Sequence, residues 1–182
     1  MKATGIVRRI DELGRVVIPK EIRRTLRIRE GESLEIFTDR EGEIVLKKYS
    51  PIGEMGKTAE LYAESLAQAT GQLVCVTDMD QIIAAAGSGK KEFQDKFISK
   101  QLRDALINRE QFMASQGEKK FINIIEKQTD EACQEIIDPI ISEGDVIGSV
   151  IVMAKDRKKP ISEMEQRLAL CGAIFLGKQM EQ

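Results

Sequence analysis

Residues 4–26 read TGIVRRIDELGRVVIPKEIRRTL, and the fold turns on how this stretch is placed. Two short β-branched runs, 5–10 and 15–18, predict strands. Asp11-Glu12-Leu13-Gly14 between them predicts a reversal. Pro19 ends the second run and suits the start of a helix, where it has no needed N–H to lose and its φ is preset. Ile22 and Leu26, four apart, give that helix a narrow apolar edge. Arg23 and Arg24 then point away from the edge, toward solvent or a partner. A helix of barely two turns would not persist alone.

Outward from this stretch, residues 34–37 and 44–47 predict a hairpin, with Gly42 in its turn. Leu34 and Ile36 share one face, as do Ile44 and Leu46, while Phe37 and Val45 lie on the other. Four short strands and one helix in about 50 residues are below the size at which a core becomes self-sufficient. Apolar groups on both faces still need cover. The expected answer is two copies interlaced into one barrel-like core.

Charge is divided between the two parts of the chain. Residues 1–29 hold nine Lys or Arg against three acids, and the remaining 153 residues net to −8, giving −2 overall. Seven of the nine cations are arginine, whose planar fork suits phosphate oxygens and guanine edges better than a lysine does. A two-fold dimer would array this charge with the symmetry of duplex DNA. The pattern alone leaves two readings, a DNA-binding face or a solvated charged face on a dimerisation module.

The run Gly14-Arg15-Val16-Val17-Ile18-Pro19 with Ile22-Arg23, continued by Gly31 and Leu34-Glu35-Ile36, resembles the DNA-binding domain of AbrB-type bacterial transition-state regulators. The whole chain, in length and second domain, resembles their two-domain sporulation members. The resemblance implies a swapped-hairpin dimer that binds double-stranded DNA through Arg8, Arg15, Arg23 and Arg24, with Lys2 and Arg9 as flanking helpers. Arg8 and Arg15 are expected toward the groove, and Arg23 and Arg24 are expected to make mixed base and phosphate contacts. The resemblance argues against a helix-turn-helix, since no recognition helix follows, and implies recognition partly through DNA shape. It also implies control, positive and negative, of late forespore-type genes in spore formation.

Pro51-Ile52-Gly53 marks a linker at 51–55. From Met55 a helical stripe follows, through Ala59, Tyr62, Leu66 and Ala69, and Gly71 ends it. Residues 73–77 and 82–86 predict a hairpin, 91–110 a mostly exposed helix and 121–125 a strand. Residues 132–141 lead to a turn at 143–145, and 146–153 form the clearest strand. Ser162 and Glu165 form a capping box for a last helix to about Gln179. Its predicted stripe is Met164, Leu168, Cys171, Ile174 or Phe175, and Lys178, widened by Leu170, Ala173 and Leu176. This pattern resembles a GAF domain with 87–130 as pocket cover. The class expected is α+β: an N-terminal swapped-hairpin β-barrel dimer (1–50) joined to a C-terminal GAF-like α/β sensory domain (56–182). The resemblance further implies pairing of C-terminal domains into a tetramer. A small effector, such as a hydrophobic amino acid or a nucleotide, and a domain kept only for assembly are both open.

Histidine is absent and the three cysteines are scattered, so a structural zinc site and the usual general base are not expected. No cofactor or metal is expected. Gly87-Ser88-Gly89-Lys90 fails as a P-loop, because Ala84 stands where a Gly is required and Lys91 where a Ser or Thr is. Glu126, Asp130 and Glu131 read as a solvated loop. An enzyme is not expected. An antitoxin-type interaction module is the rival reading, since toxin antagonists share related folds, but those usually add an extended tail rather than a compact domain. No apolar run approaches the roughly 20 residues of a membrane span, and the start has no long apolar segment behind it. The expected location is therefore cytoplasmic, on the nucleoid.

Overall fold

The computed structural model describes residues 5–129 and 132–181. It divides into two compact units, the first ending at Tyr49 and the second beginning at Ser50.

In the first unit, helix α1 (Lys20–Thr25) is followed by strands β1 (Leu34–Thr38) and β2 (Ile44–Lys48). The two strands pair antiparallel, with Ile36 opposite Leu46 and Phe37 opposite Val45. Asp39 shapes their turn, its Oδ1 accepting from the N–H groups of Glu41 and Glu43. Residues 5–10 and 15–18, expected as strands, lie outside any sheet of the chain. The reversal between them forms as expected, closed by the Asp11 N–H on the Arg15 carbonyl. A strand is defined by its ladder, and within one chain these runs find no second strand.

In the second unit, α2 (Pro51–Glu54) and α3 (Gly56–Thr70) lead into β3 (Leu73–Thr77) and β4 (Ile82–Ala86). Short helices α4 (Lys90–Phe93) and α5 (Lys100–Ile107) precede β5 (Phe112–Ser115), β6 (Gln134–Ser142), β7 (Asp145–Ala154) and α6 (Glu163–Gln179). The sheet order is β4-β3-β7-β6-β5, antiparallel throughout. On one face, α3 and α6 pack over Val74, Ile136, Ile140, Val150 and Val152. On the other, Phe93, Ile98, Leu102, Leu106, Ile124 and Ile125 cover Cys75, Ile137, Ile151 and Met153.

Several expectations need correction. The linker segment begins this unit as helix α2, because Ser50 caps it through the Gly53 N–H and Ile52 is fully buried. The single helix expected over 91–110 is two, because Asp95 takes a positive φ and Ser99 opens a new cap on the Leu102 N–H. Phe97 and Ile107 of this segment are exposed. Residues 121–125 form covering loop rather than strand, with a β-bridge at Ile98–Ile125 in place of a ladder. The edge position is taken by β5 instead. On α3, Ala69 is exposed and Ala63 and Ala67 are buried. On α6 the predicted stripe is turned outward. Ala169, Gly172, Ala173, Leu176 and Gly177 are buried, whereas Met164, Leu168, Leu170, Ile174 and Phe175 are exposed. The cause is close approach: a Cβ on Gly172 would fall 1.8 Å from the Tyr62 ring, and one on Gly177 2.1 Å from the Ile141 carbonyl oxygen.

Candidate nucleic-acid interface

The reversal at 11–15 is built by one carboxylate. Asp11 Oδ1 accepts from the N–H groups of Leu13 and Arg15, and Gly14 supplies the positive φ that the turn needs. Asp11 Oδ2 accepts from Arg15 Nε at 2.8 Å. These bonds hold the Asp11 carboxyl below its ordinary range, the largest contribution coming from the Arg15 backbone N–H. The pairing runs through Nε, so among the described residues both Nη nitrogens of Arg15 remain for a phosphate or a base edge. Arg8, on the other arm, is exposed, with its Nη1 donating to the Val7 carbonyl at 3.3 Å. Arg9 is exposed beside it. Lys2 lies outside the described residues.

Helix α1 carries Arg23 and Arg24 in its last turn. Arg24 is exposed, but Arg23 is half-buried, and its Nε is enclosed without a hydrogen-bond partner among the described residues. The expectation that both stand clear of the unit therefore holds for Arg24 and needs correction for Arg23. Arg27, at φ 56°, ends the helix, and Ile28 N–H bonds back to the Arg23 carbonyl. Lys48 of β2 then ties this end to the hairpin, donating to the Arg27 carbonyl at 2.7 Å and pairing with Glu32 at 3.1 Å. Asp11, Glu32 and Lys48 were not singled out in the sequence. Only Asp11 had a readable signal, an Asp three residues before a Gly.

The apolar side chains of this unit are left open. Val7, Ile10, Leu13, Val16, Val17, Leu26, Ile36 and Ile44 are each at least 50% exposed. Every residue of the buried apolar core lies at or beyond Ile52.

In the second unit, two carboxylates of β6 are buried. Glu135 accepts from the Ile122 N–H and Asp138 from the Gln111 amide, and Glu135 Oε2 and Asp138 Oδ2 have no partner among the described residues. Burial pushes the Glu135 carboxyl up to about 7 and that of Asp138 to about 6. Cys75 is buried, which raises its thiol above the usual range, and Cys133 is buried too. Glu126 is exposed as expected, while Asp130 and Glu131 fall outside the described residues. Among the described residues no group of three or more Cys, Asp or Glu could hold a metal ion. No helix among them is long and apolar enough to cross a membrane.

Comparison with known proteins adds to this geometry. Residues 54–181 match the family described as stage V sporulation protein T C-terminal, transcription factor. Residues 7–54 match the family described as antidote-toxin recognition MazE, bacterial antitoxin. The chain is 47% identical to stage V sporulation protein T of Bacillus subtilis (strain 168), over all of both chains. It is 52% identical over 85 residues to the transition state regulatory protein AbrB of the same organism, which covers 46% of this chain and 88% of that one. The GAF domain of an Acinetobacter phosphoenolpyruvate-protein phosphotransferase covers 70% of this chain and 82% of its own, at TM-score 0.57 and 11% identity. That likeness concerns the fold alone. An AbrB-like module followed by a GAF-like domain makes a transcription regulator of mixed α/β architecture. Within that class, the match over its whole length assigns the chain to the stage V sporulation protein T family.

Proposed function

We propose that two copies of the first unit interlace and bind double-stranded DNA through Arg8, Arg15, Arg23 and Arg24, flanked by Lys2 and Arg9. The observation that carries this is the pairing of open apolar faces with unsatisfied arginine on one small unit. Val7, Val16, Val17, Ile36 and Ile44 need cover. A second copy supplies it, together with strands for residues 5–10 and 15–18. The regulator then acts in the cytoplasm on the nucleoid, activating and repressing late forespore genes. The second unit serves for assembly, and for response to a small effector.

Asp11 sets Arg15 in this reading. Asp11→Ala removes two backbone bonds and the ion pair, and is expected to weaken duplex binding by roughly threefold to tenfold. Fluorescence anisotropy with a labelled duplex would measure it. An unchanged affinity would remove Asp11 from the site.

The outward face of α6, with Leu61 of α3, supports pairing of second units into a tetramer. Met164, Leu168, Ile174 and Phe175 would be covered there. Ile174→Glu with Phe175→Glu is expected to halve the mass in sedimentation while leaving the fold intact, since both positions are exposed. Binding to a fragment with two sites should fall through lost bivalency, by tenfold or more, while binding to one short site should hold.

The match of 7–54 to an antitoxin family favours a second reading, an interaction module that neutralises a toxin and binds its own promoter. Co-purification separates the two. An antitoxin brings a toxin with it in stoichiometric amount, whereas a regulator purifies alone and shifts many promoter fragments.

A further inference from the structure

Residues 51–182 carry sixteen cations against twenty-one acids, yet six of the sixteen sit in two short stretches, 116–120 and 155–160, beside only Glu118 and Asp156. The fold brings these stretches together. Arg157 Nη2 donates to Gln116 Oε1 at 2.8 Å, joining the turn after β5 to the turn after β7. Between them is a cleft of about 240 Å³ lined by Ser115, Gln116, Cys133, Gln134, Arg157 and Pro160.

The polar groups of the cleft wall are fixed in place. Gln134 donates to Ser115 Oγ at 3.2 Å, and its carbonyl oxygen accepts from the Ile161 N–H at 2.8 Å. Gln116 N–H is held by the Cys133 carbonyl, and the Cys133 thiol by that of Ala154. Among the described residues no carboxylate lines the cleft. Asp156 is turned into its own loop, accepting from the Lys158 N–H at 2.9 Å. What the cleft offers is a guanidinium, a hydroxyl and two amides, with Lys158 and Lys159 following Arg157 in its loop.

We propose that this cleft binds a small phosphorylated molecule, with the phosphate on Arg157 and its body against Ser115, Gln116 and Gln134. A planar guanidinium matches phosphate oxygens in pairs. The volume is below the roughly 300–1,000 Å³ of drug-sized ligand pockets, which favours a phosphate on a short polar body over a whole dinucleotide. A duplex backbone would meet the exposed lysines but not the half-buried Ser115 and Gln134. The proposal rests on the reading of the second unit as effector-responsive and is independent of DNA binding by the first.

Thermal unfolding of the full-length protein, without DNA, tests it. Inorganic phosphate and glycerol 3-phosphate, each against sodium chloride at matched ionic strength, should raise Tm saturably by about 2–5 °C at a few tens of millimolar. Arg157→Ala should abolish the shift and Gln116→Ala should reduce it. Lys96→Gln, a lysine exposed elsewhere on this unit, should leave it whole. An equal shift with chloride, or a full shift in Arg157→Ala, overturns the proposal. So does absence of any shift in the native protein while Arg157→Ala weakens duplex binding, since the loops would then be a DNA contact. Duplex affinity of the native protein, measured separately without phosphate, reports on the arginine platform whichever way the cleft behaves.

Discussion

Arg8→Ala combined with Arg15→Ala is expected to lower duplex affinity on the order of 100-fold or more at 0.1 M salt, while the oligomer stays intact. Both residues are exposed on the two arms of the 11–15 reversal, so neither change removes packing. In a two-fold dimer the pair of substitutions deletes four guanidinium groups. If all four meet phosphate, the slope of log K against log salt should fall by about three to four. A smaller fall in slope with the same loss of affinity would mean that part of the contact is to base edges. Anisotropy titrations between 50 and 300 mM salt give both numbers, and sedimentation confirms the mass. Native affinity and slope in the double variant would remove the platform from the account. Arg23→Ala is a less clean probe. Its Nε is enclosed, so its loss should also lower the stability of the first unit, whereas Arg24→Ala should not.

How far the fold could be read from sequence differs between the two units, for physical reasons. The reversal at 11–14, the proline-started helix and the 34–48 hairpin were legible because each depends on local chemistry: an Asp and a Gly at fixed spacing, a proline just before the helix, alternating β-branched residues. The state of residues 5–10 and 15–18 was not, because a ladder depends on where the partner strand lies. In the second unit the hairpin at 73–86 and the capping box of α6 were likewise local. The α6 stripe followed side-chain size, and it marks the outward face of the helix, with only its widening positions Ala173 and Leu176 turned to the sheet. At Gly172 and Gly177 the helix lies so close to Tyr62 and the Ile141 carbonyl that no side chain fits, and most of its large apolar groups, Leu176 apart, were left outside. A stripe of small residues was the usable signal. The edge strand β5 was missed since Phe112-Met113-Ala114-Ser115 is short and weakly alternating. Of the proposed site, the concentration of arginine before residue 30 was legible from composition, whereas the choice of Arg8, Arg15, Arg23 and Arg24 came from the resemblance. The enclosure of Arg23 was not, because it depends on how the end of α1 packs within its unit.

Glu135→Gln with Asp138→Asn is expected to stabilise the second unit at pH 8 and to flatten its pH dependence. Both native carboxyls titrate higher in the folded chain than in the unfolded one, moving from 4.5 to about 7 and from 3.8 to about 6. Between those limits the folded state binds more protons than the unfolded state, so stability falls as pH rises. The favourable contribution is whole below about pH 4 and gone above about pH 7. Burial is the main cause at both sites, opposed by the Ile122 N–H at Glu135 and by the Gln111 amide at Asp138. The two amides keep an oxygen for those donors and carry no charge to bury. A few kcal/mol is at stake for the pair together, on the order of 10 °C in Tm for a domain of this size. In the native protein, unfolding should therefore occur at a lower temperature at pH 8 than at pH 5.5, apart from losses elsewhere at low pH. The double variant should show little difference between those two values. If the native second unit were as stable at pH 8 as at pH 5.5, or if the amides lowered Tm at pH 8, the buried carboxyls would have to be partnered in the assembled protein. Glu135 lies under the covering loop beside Ile122, and Asp138 under Tyr62 and α6. Measuring Glu135→Gln and Asp138→Asn singly would therefore show which face of the sheet supplies the partner.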